Sequence, residues 1–229
     1  MIAEIRKQLR HYRKYTSEDA RRFFKTEKGQ YGSHDKFLGV AVPDVRKIAK
    51  QYYLLPIMHI QNLMESKFNE ERLLALFILM HRYQKNDDEK EHIYNFYLKN
   101  IQHVNNWNLV DSSAHYIIGS HLVSKNKNIL RDFAKSKNIW YRRIAIIATW
   151  HFIRENKFTE TIKISKLLLE DEHDLIHKAV GWMLREMGKR NQACLAEFLQ
   201  KYAKKMPRTM LRYAIEKFPE AERRKYLLA

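Results

Sequence analysis

The sequence predicts an all-α fold, a superhelical solenoid of HEAT- or armadillo-like antiparallel helix pairs, on three observations. Its 229 residues include only 6 Gly and 4 Pro, too little turn material for the tight connections of a sandwich or barrel. Apolar residues recur at helical spacing, as in Leu73, Leu74, Leu76, Phe77 and Met80, then Ile93, Tyr94, Phe96, Tyr97 and Leu98, with strand-like alternation nearly absent. Stop signals at Asn69, Asn86-Asp87-Asp88, Asn105-Asn106, Asn126 to Asn128, Asn156, Asp171 to Asp174 and Pro207 cut the chain into helices of about 10 to 18 residues. Pairs of these helices repeat every ~35 to 40 residues, giving about five or six units.

From the N-terminus, residues 1–27 read as a helical hairpin. Residues 28–46 break the rhythm, because three of the 6 glycines, Gly29, Gly32 and Gly39, fall there; the segment reads as a structured connection. Pro43, at a first helical turn with Asp44 beside it, starts the next helix. Either this loop touches a ligand through Tyr31 or Lys36, or Phe37, Leu38 and Val40 pin the hairpin to the core. The repeat array fills residues 47–229, so the whole chain, 1–229, is expected to form a single domain.

Within the array, Trp107 and Asp111 stand four residues apart, which in a helix puts an indole and an acceptor-only anion on one face. The chain carries 43 Lys+Arg against 26 Asp+Glu, a formal +17. A carboxylate on a phosphate-binding surface is repelled by its ligand and needs a reason to be there. The alternative is that Asp111-Ser112-Ser113 caps a helix N-terminus.

The helix around residues 139–154 has an apolar face of Ile144, Ile147, Ala148 and Phe152, and Arg143, Trp150 and Arg154 share another stripe. Such a stripe suits a backbone-tracking surface, or else it is a solvated face with Trp150 at the core edge. In the segment 177–186 Trp182 stands beside Arg185, three residues on. Gly181 costs a helix interior about 1 kcal/mol relative to alanine, which implies a close approach to its backbone that a neighbouring helix would satisfy. Trp182 is then either core or surface. His173 and His177 have metal-ligand spacing, but Asp174 stands where a metalloprotease needs glutamate and no third ligand appears, so no metal site is assigned. Nucleophile arrangements, phosphate-cradling glycine loops and zinc-deaminase patterns are absent.

The net charge and a pI near 9.8 favour a polyanionic partner, most often nucleic acid. No lipidation motif and no apolar run near the roughly 18 residues of a membrane span is present. The single cysteine, Cys194, excludes intramolecular disulfides and cysteine-based zinc clusters. The charged start Met1 to Arg6 is no signal peptide, which points to the cytosol.

Four segments carry a family resemblance, in order along nearly the whole chain: Gly39-Val40 with Pro43-Asp44 and Arg46-Lys47; Trp107-Asn108-Leu109-Val110-Asp111; Trp140-Tyr141-Arg142-Arg143-Ile144-Ala145; and Lys178 to Glu186. Together they resemble the AlkD-type DNA alkylation repair glycosylases, a family of HEAT-like repeats. The resemblance implies hydrolysis of the N-glycosidic bond of cationic alkylated purines, such as 3-methyladenine and 7-methylguanine, in duplex DNA. It implies that Trp107 and Trp182 pack on the lesion's deoxyribose and that Asp111 is the catalytic carboxylate. Arg143 binds DNA near them, with the adjacent Arg142 as the other choice, and Arg185 matches a position associated with the backbone. The damaged base need not enter an enclosed pocket, unlike in most glycosylases. Asn108 departs from the acidic residues common there and is expected on the exposed side opposite Asp111, with little consequence.

The chemistry agrees with these residues. A cationic purine leaves without a general acid, and a carboxylate beside the sugar stabilises the oxocarbenium-like state and orients water. Each indole adds a cation–π attraction of about 0.5 to 2 kcal/mol. No lysine nucleophile is required, so the expected enzyme is a monofunctional DNA-3-methyladenine-type glycosylase without cofactor or lyase activity. It acts as a monomer on double-stranded DNA containing alkylated bases, in the cytoplasm at the nucleoid. The alternatives are a non-catalytic DNA-binding HEAT-like protein and a protein-binding adaptor.

Overall fold

A computed structural model describes residues 1–228, Ser17 without its side chain. The fold is all-α: among the described residues, pairing of extended backbone is limited to the isolated bridges Arg13–Val40 and Lys36–Phe68. No described helix is long and apolar enough to cross a membrane. The chain clusters into two compact units, Met1–Ser113 and Ala114 onward.

The first unit contains α1 (Ile2–His11), α2 (Ser17–Phe24), α3 (Val42–Gln51), α4 (Ile57–Met64), α5 (Asn69–Lys85), α6 (Lys90–Lys99) and the start of α7 (Trp107–Ala114). Helix α5 is its centre, packed by α3 and α4 and flanked by α6. Every residue from Asn69 to Met80 is consequently buried, which explains why this helix shows no single apolar stripe. Thr16 and Asp19 form a reciprocal capping box at the head of α2. As expected, Pro43 and Asp44 lie in the first turn of α3.

The segment between α2 and α3 is fixed by backbone pairing. Lys14 and Tyr15 donate to the Gly39 carbonyl at 2.8 and 3.0 Å, and Asn69 donates to the Lys36 carbonyl at 2.8 Å. Gly39 has φ +84°, and a side chain there would run into the Tyr15 backbone, so the position demands glycine. Glu70, buried in α5, accepts from the amides of Leu38, Gly39 and Val40 at 2.9, 2.8 and 3.3 Å. Burial raises its pKa above 4.5, against those three donors.

Helix α7 continues through a π-helical turn (His115–Gly119) into α8 (Ser120–Leu122), and the unit boundary falls within this run. The second unit then holds α9 (Asn128–Ala134), α10 (Ile139–Arg154), α11 (Thr159–Leu167), α12 (Asp174–Arg190), α13 (Gln192–Tyr202), α14 (Arg208–Ala214) and α15 (Glu220–Leu228). Helices α10, α12 and α14 pack side by side, with α9, α11 and α13 on their flanks. Asn138 and Asn191 cap α10 and α13. The second helices of successive pairs begin at Asn69, Trp107, Ile139, Asp174 and Arg208, near the spacing the stop signals predict.

Candidate functional site

Helix α7 carries the residues on which the sequence reading turns. Asn106 heads it: its side-chain oxygen accepts from the Trp107 amide at 2.7 Å, and its carbonyl accepts from Leu109 and Val110 at 3.2 and 3.1 Å. Leu109 and Val110 are wholly buried, which sets the helix's rotation and leaves Trp107 and Asp111 half-buried, one turn apart. Asp111 is the fifth residue of this helix, so the N-cap alternative is excluded.

The Trp107 indole lies in an aromatic stack. It packs face to face on Phe24, centroids 5.3 Å apart and planes at 19°, and Phe24 in turn stacks on Phe37 at 4.3 Å and 20°. Phe23 meets the indole more nearly edge-on at 5.3 Å and is 63% exposed. Phe23, Phe24 and Phe37 also line a cavity of about 730 Å³ with Tyr15, Val42 and Glu70. Phe37 thus has the pinning role left open for it, while Tyr31 is half-buried and Lys36 exposed. The sequence reading missed Phe23 and Phe24; the available signal was an aromatic pair ending a short, otherwise mostly polar helix.

Asn108 is not on the exposed side expected for it. It is 7% exposed and exchanges hydrogen bonds with Asn69, donating at 2.6 Å and accepting at 3.2 Å. Three residues span about 300° of helix, so positions 108 and 111 lie about 60° apart rather than opposite. Asn108 turns toward the head of α5.

In the second unit, α10 and α12 bring the two other predicted tryptophans together. The Trp150 and Trp182 rings meet near edge-on at 4.9 Å, and His115 lies against Trp150 at 4.5 Å. The Arg154 guanidinium sits 4.4 Å from the centroid of Trp150 and 5.5 Å from that of Tyr116. Trp182 is half-buried and donates its Nε1–H to Glu186 at 3.2 Å. The approach inferred at Gly181 is made by α14: a methyl there would lie 2.5 Å from the Met210 carbonyl oxygen.

The remaining predicted arginines are more occupied than the sequence suggests. Arg142 grips Asp171 with Nε at 2.6 Å and donates to the carbonyls of Ser136 and Lys137, both at 3.0 Å. Arg143 is 5% exposed and donates to the Leu175 carbonyl, so it does not share the exposed stripe of Arg154. Arg185 pairs with Glu216, and more distantly with Glu186 at 3.7 Å. The two histidines with metal-ligand spacing have helix-terminal roles: His173 Nδ1 accepts from the Leu175 amide at 3.1 Å as the N-cap of α12, and His177 Nε2 bonds the Asp171 carbonyl.

Comparison with known proteins bears on both units. A family model described as "DNA alkylation repair enzyme" matches residues 5–218. The solved structure titled "Predicted DNA alkylation repair enzyme from Enterococcus faecalis" is similar with a TM-score of 0.70 at 16% identity, over 91% of this chain and 98% of that one. At that identity the likeness carries the fold alone. The comparison with curated proteins found no match.

Proposed function

Because this chain belongs to the DNA alkylation repair enzyme family, we propose that it is a monofunctional DNA glycosylase that releases cationic alkylated purines, 3-methyladenine and 7-methylguanine, from duplex DNA. The observation that carries this reading is the half-buried carboxylate of Asp111, one helical turn from the half-buried indole of Trp107. A purine already cationic at the ring leaves as a neutral base. Cleavage is then limited by positive charge developing on the sugar, and Asp111 stabilises that charge and orients the water that captures it. The Trp107 face favours charged nucleosides over neutral ones. By resemblance, Trp182 packs on the same class of sugar; Arg154 and Trp150 are the proposed DNA contacts, whereas Arg143, held by the Leu175 carbonyl, and Arg142 and Arg185, paired with Asp171 and Glu216, would reach DNA only by leaving those partners.

Incubation with methylated duplex DNA, followed by quantification of released 3- and 7-methylpurines, tests this. Asp111→Asn keeps the shape of the side chain and removes its charge, and release is expected to fall by about 10²-fold or more. Equal release by both proteins refutes the mechanism. Strand nicking beyond that of an abasic-site control refutes monofunctionality. Tight, steeply salt-dependent binding without release favours a non-catalytic DNA-binding protein.

A further inference from the structure

Trp107 is bracketed by two buried amides, and both lead to one carboxylate. Asn106 Nδ2 donates to Asp35 Oδ2 at 2.6 Å, Asn69 Nδ2 donates to the same oxygen at 2.9 Å, and Arg72 pairs with Asp35 Oδ1. On the other side of Trp107, Asn108 Nδ2 donates to Asn69 Oδ1 at 2.6 Å. Asn106 and Asn69 are fully buried, and Asp35 is 7% exposed. Two residues beyond Asp35, Phe37 stacks on Phe24, which stacks on the Trp107 ring. The segment 35–37 therefore touches the tryptophan's surroundings twice, at the backbone through Asn106 and at the ring through Phe24.

Only one of the two polar atoms of Asn106, the oxygen that accepts from the adjacent Trp107 amide, is used at the head of α7. Its other atom reaches 71 residues back along the chain to a buried anion. A buried carboxylate is costly unless its lone pairs are satisfied, and here the donors include the first residue of α5 and the residue just before α7. The network ties the first turns of two helices together at the point where the indole and, one turn on, Asp111 emerge.

We propose that Asn106, through its bond to Asp35, is a positioning residue that sets the orientation of Trp107 and hence the placement of Asp111 for base release. The inference rests on the glycosylase reading for its catalytic half only. Its structural half, the setting of the indole, is measurable without any substrate.

The test uses the full chain labelled with 5-fluorotryptophan, whose four tryptophans give separate ¹⁹F resonances; Trp107→Phe assigns the relevant one. Asn106→Ser keeps a side-chain oxygen at the head of α7 but is too short to reach Asp35. It is expected to shift or broaden the Trp107 resonance while those of Trp140, Trp150 and Trp182 stay in place. Single-turnover release of 7-methylguanine at saturating enzyme should slow by about 10²-fold, the cost of an ångström-scale misplacement, with DNA affinity unchanged. Asn106→Asp faces two carboxylates at one contact and should behave likewise. That variant carries the test if Asn106→Ser folds poorly. An unmoved Trp107 resonance in both variants, or four resonances moving together, overturns the proposal. Absence of release by the wild type refutes the glycosylase reading instead, and leaves the ¹⁹F result to decide the positioning role.

Discussion

Replacing Gly181 with alanine sets helix propensity against packing. In an unpacked helix the change would stabilise by about 1 kcal/mol. Here the new methyl would lie 2.5 Å from the Met210 carbonyl oxygen and 2.5 Å from Tyr213 Cβ, about 1 Å inside ordinary carbon contact distance. The carbonyl belongs to the backbone of α14 and cannot rotate away, so α12 and α14 must separate locally. Overpacking of this kind costs about 1 to 3 kcal/mol. After the propensity gain, the expected result is a net loss on the order of 1 kcal/mol and a melting temperature lower by about 2 to 4 °C. Gly188, in the same helix, is the control: a methyl there meets chiefly the tip of the Leu195 side chain, which can turn, so Gly188→Ala should lose less. Urea unfolding of the two variants beside wild type measures the difference as a midpoint shift at constant slope. A gain near 1 kcal/mol for Gly181→Ala would show that α14 does not approach as closely as described and would refute the reasoning.

Three further outcomes follow from the same geometry. His173 caps α12 through a neutral Nδ1, and burial, partly opposed by Asp171, lowers its pKa below 6.5. The unfolded state then binds more protons between the folded pKa and 6.5, so this contribution is complete above 6.5 and is lost as pH falls through the folded value. The stability difference between pH 7.5 and 5.5, measured by urea titration, should shrink in His173→Asn, which caps without titrating. Arg142→Ala removes the partner of the nearly buried Asp171 and should lower stability by about 2 kcal/mol, an amount discounted for the partial exposure of Arg142; an unchanged midpoint would assign that arginine to ligand binding instead. Arg154→Ala should leave stability within about 0.5 kcal/mol but weaken DNA binding and reduce the salt slope by about 1, as followed by fluorescence anisotropy at several salt concentrations.

The helices were legible because their signals are local. Asn86, Asn156 and Pro207 stand at or beside helix ends, and the predicted pairing of Pro43 with Asp44 opens α3. Trp107 and Asp111 were legible as a pair because four residues of helix suffice to align them. What escaped was set by residues far apart in sequence. Nothing local says that Asn108 turns inward, because its partner Asn69 lies 39 residues away. Phe23 and Phe24 gain meaning only when Trp107 is placed against them. Arg143 read as surface because its charge is visible in sequence while the Leu175 carbonyl that holds it is not.

This last misreading bears on how a formal +17 is to be understood. Counting cations treats every guanidinium as available to a polyanion, yet Arg72, Arg131, Arg142 and Arg185 each face a carboxylate within the fold. Such pairs contribute little to the field at the surface, because the two charges largely cancel at distances beyond their separation. Their work is to place helix ends: Arg142 ties the segment before α10 to the segment before α12, and Arg72 holds Asp35 under α7. The acidic residues they neutralise are thereby removed from the surface ledger too, so pairing lowers the number of cations that can meet phosphate without lowering the net charge. On the proposed function, attraction to DNA rests on the unpaired surplus, to which Arg154 belongs among the predicted arginines, held as a cation against two aromatic rings. A salt slope well below the arginine and lysine count is what this partition requires, since the slope counts phosphates neutralised and not charges carried.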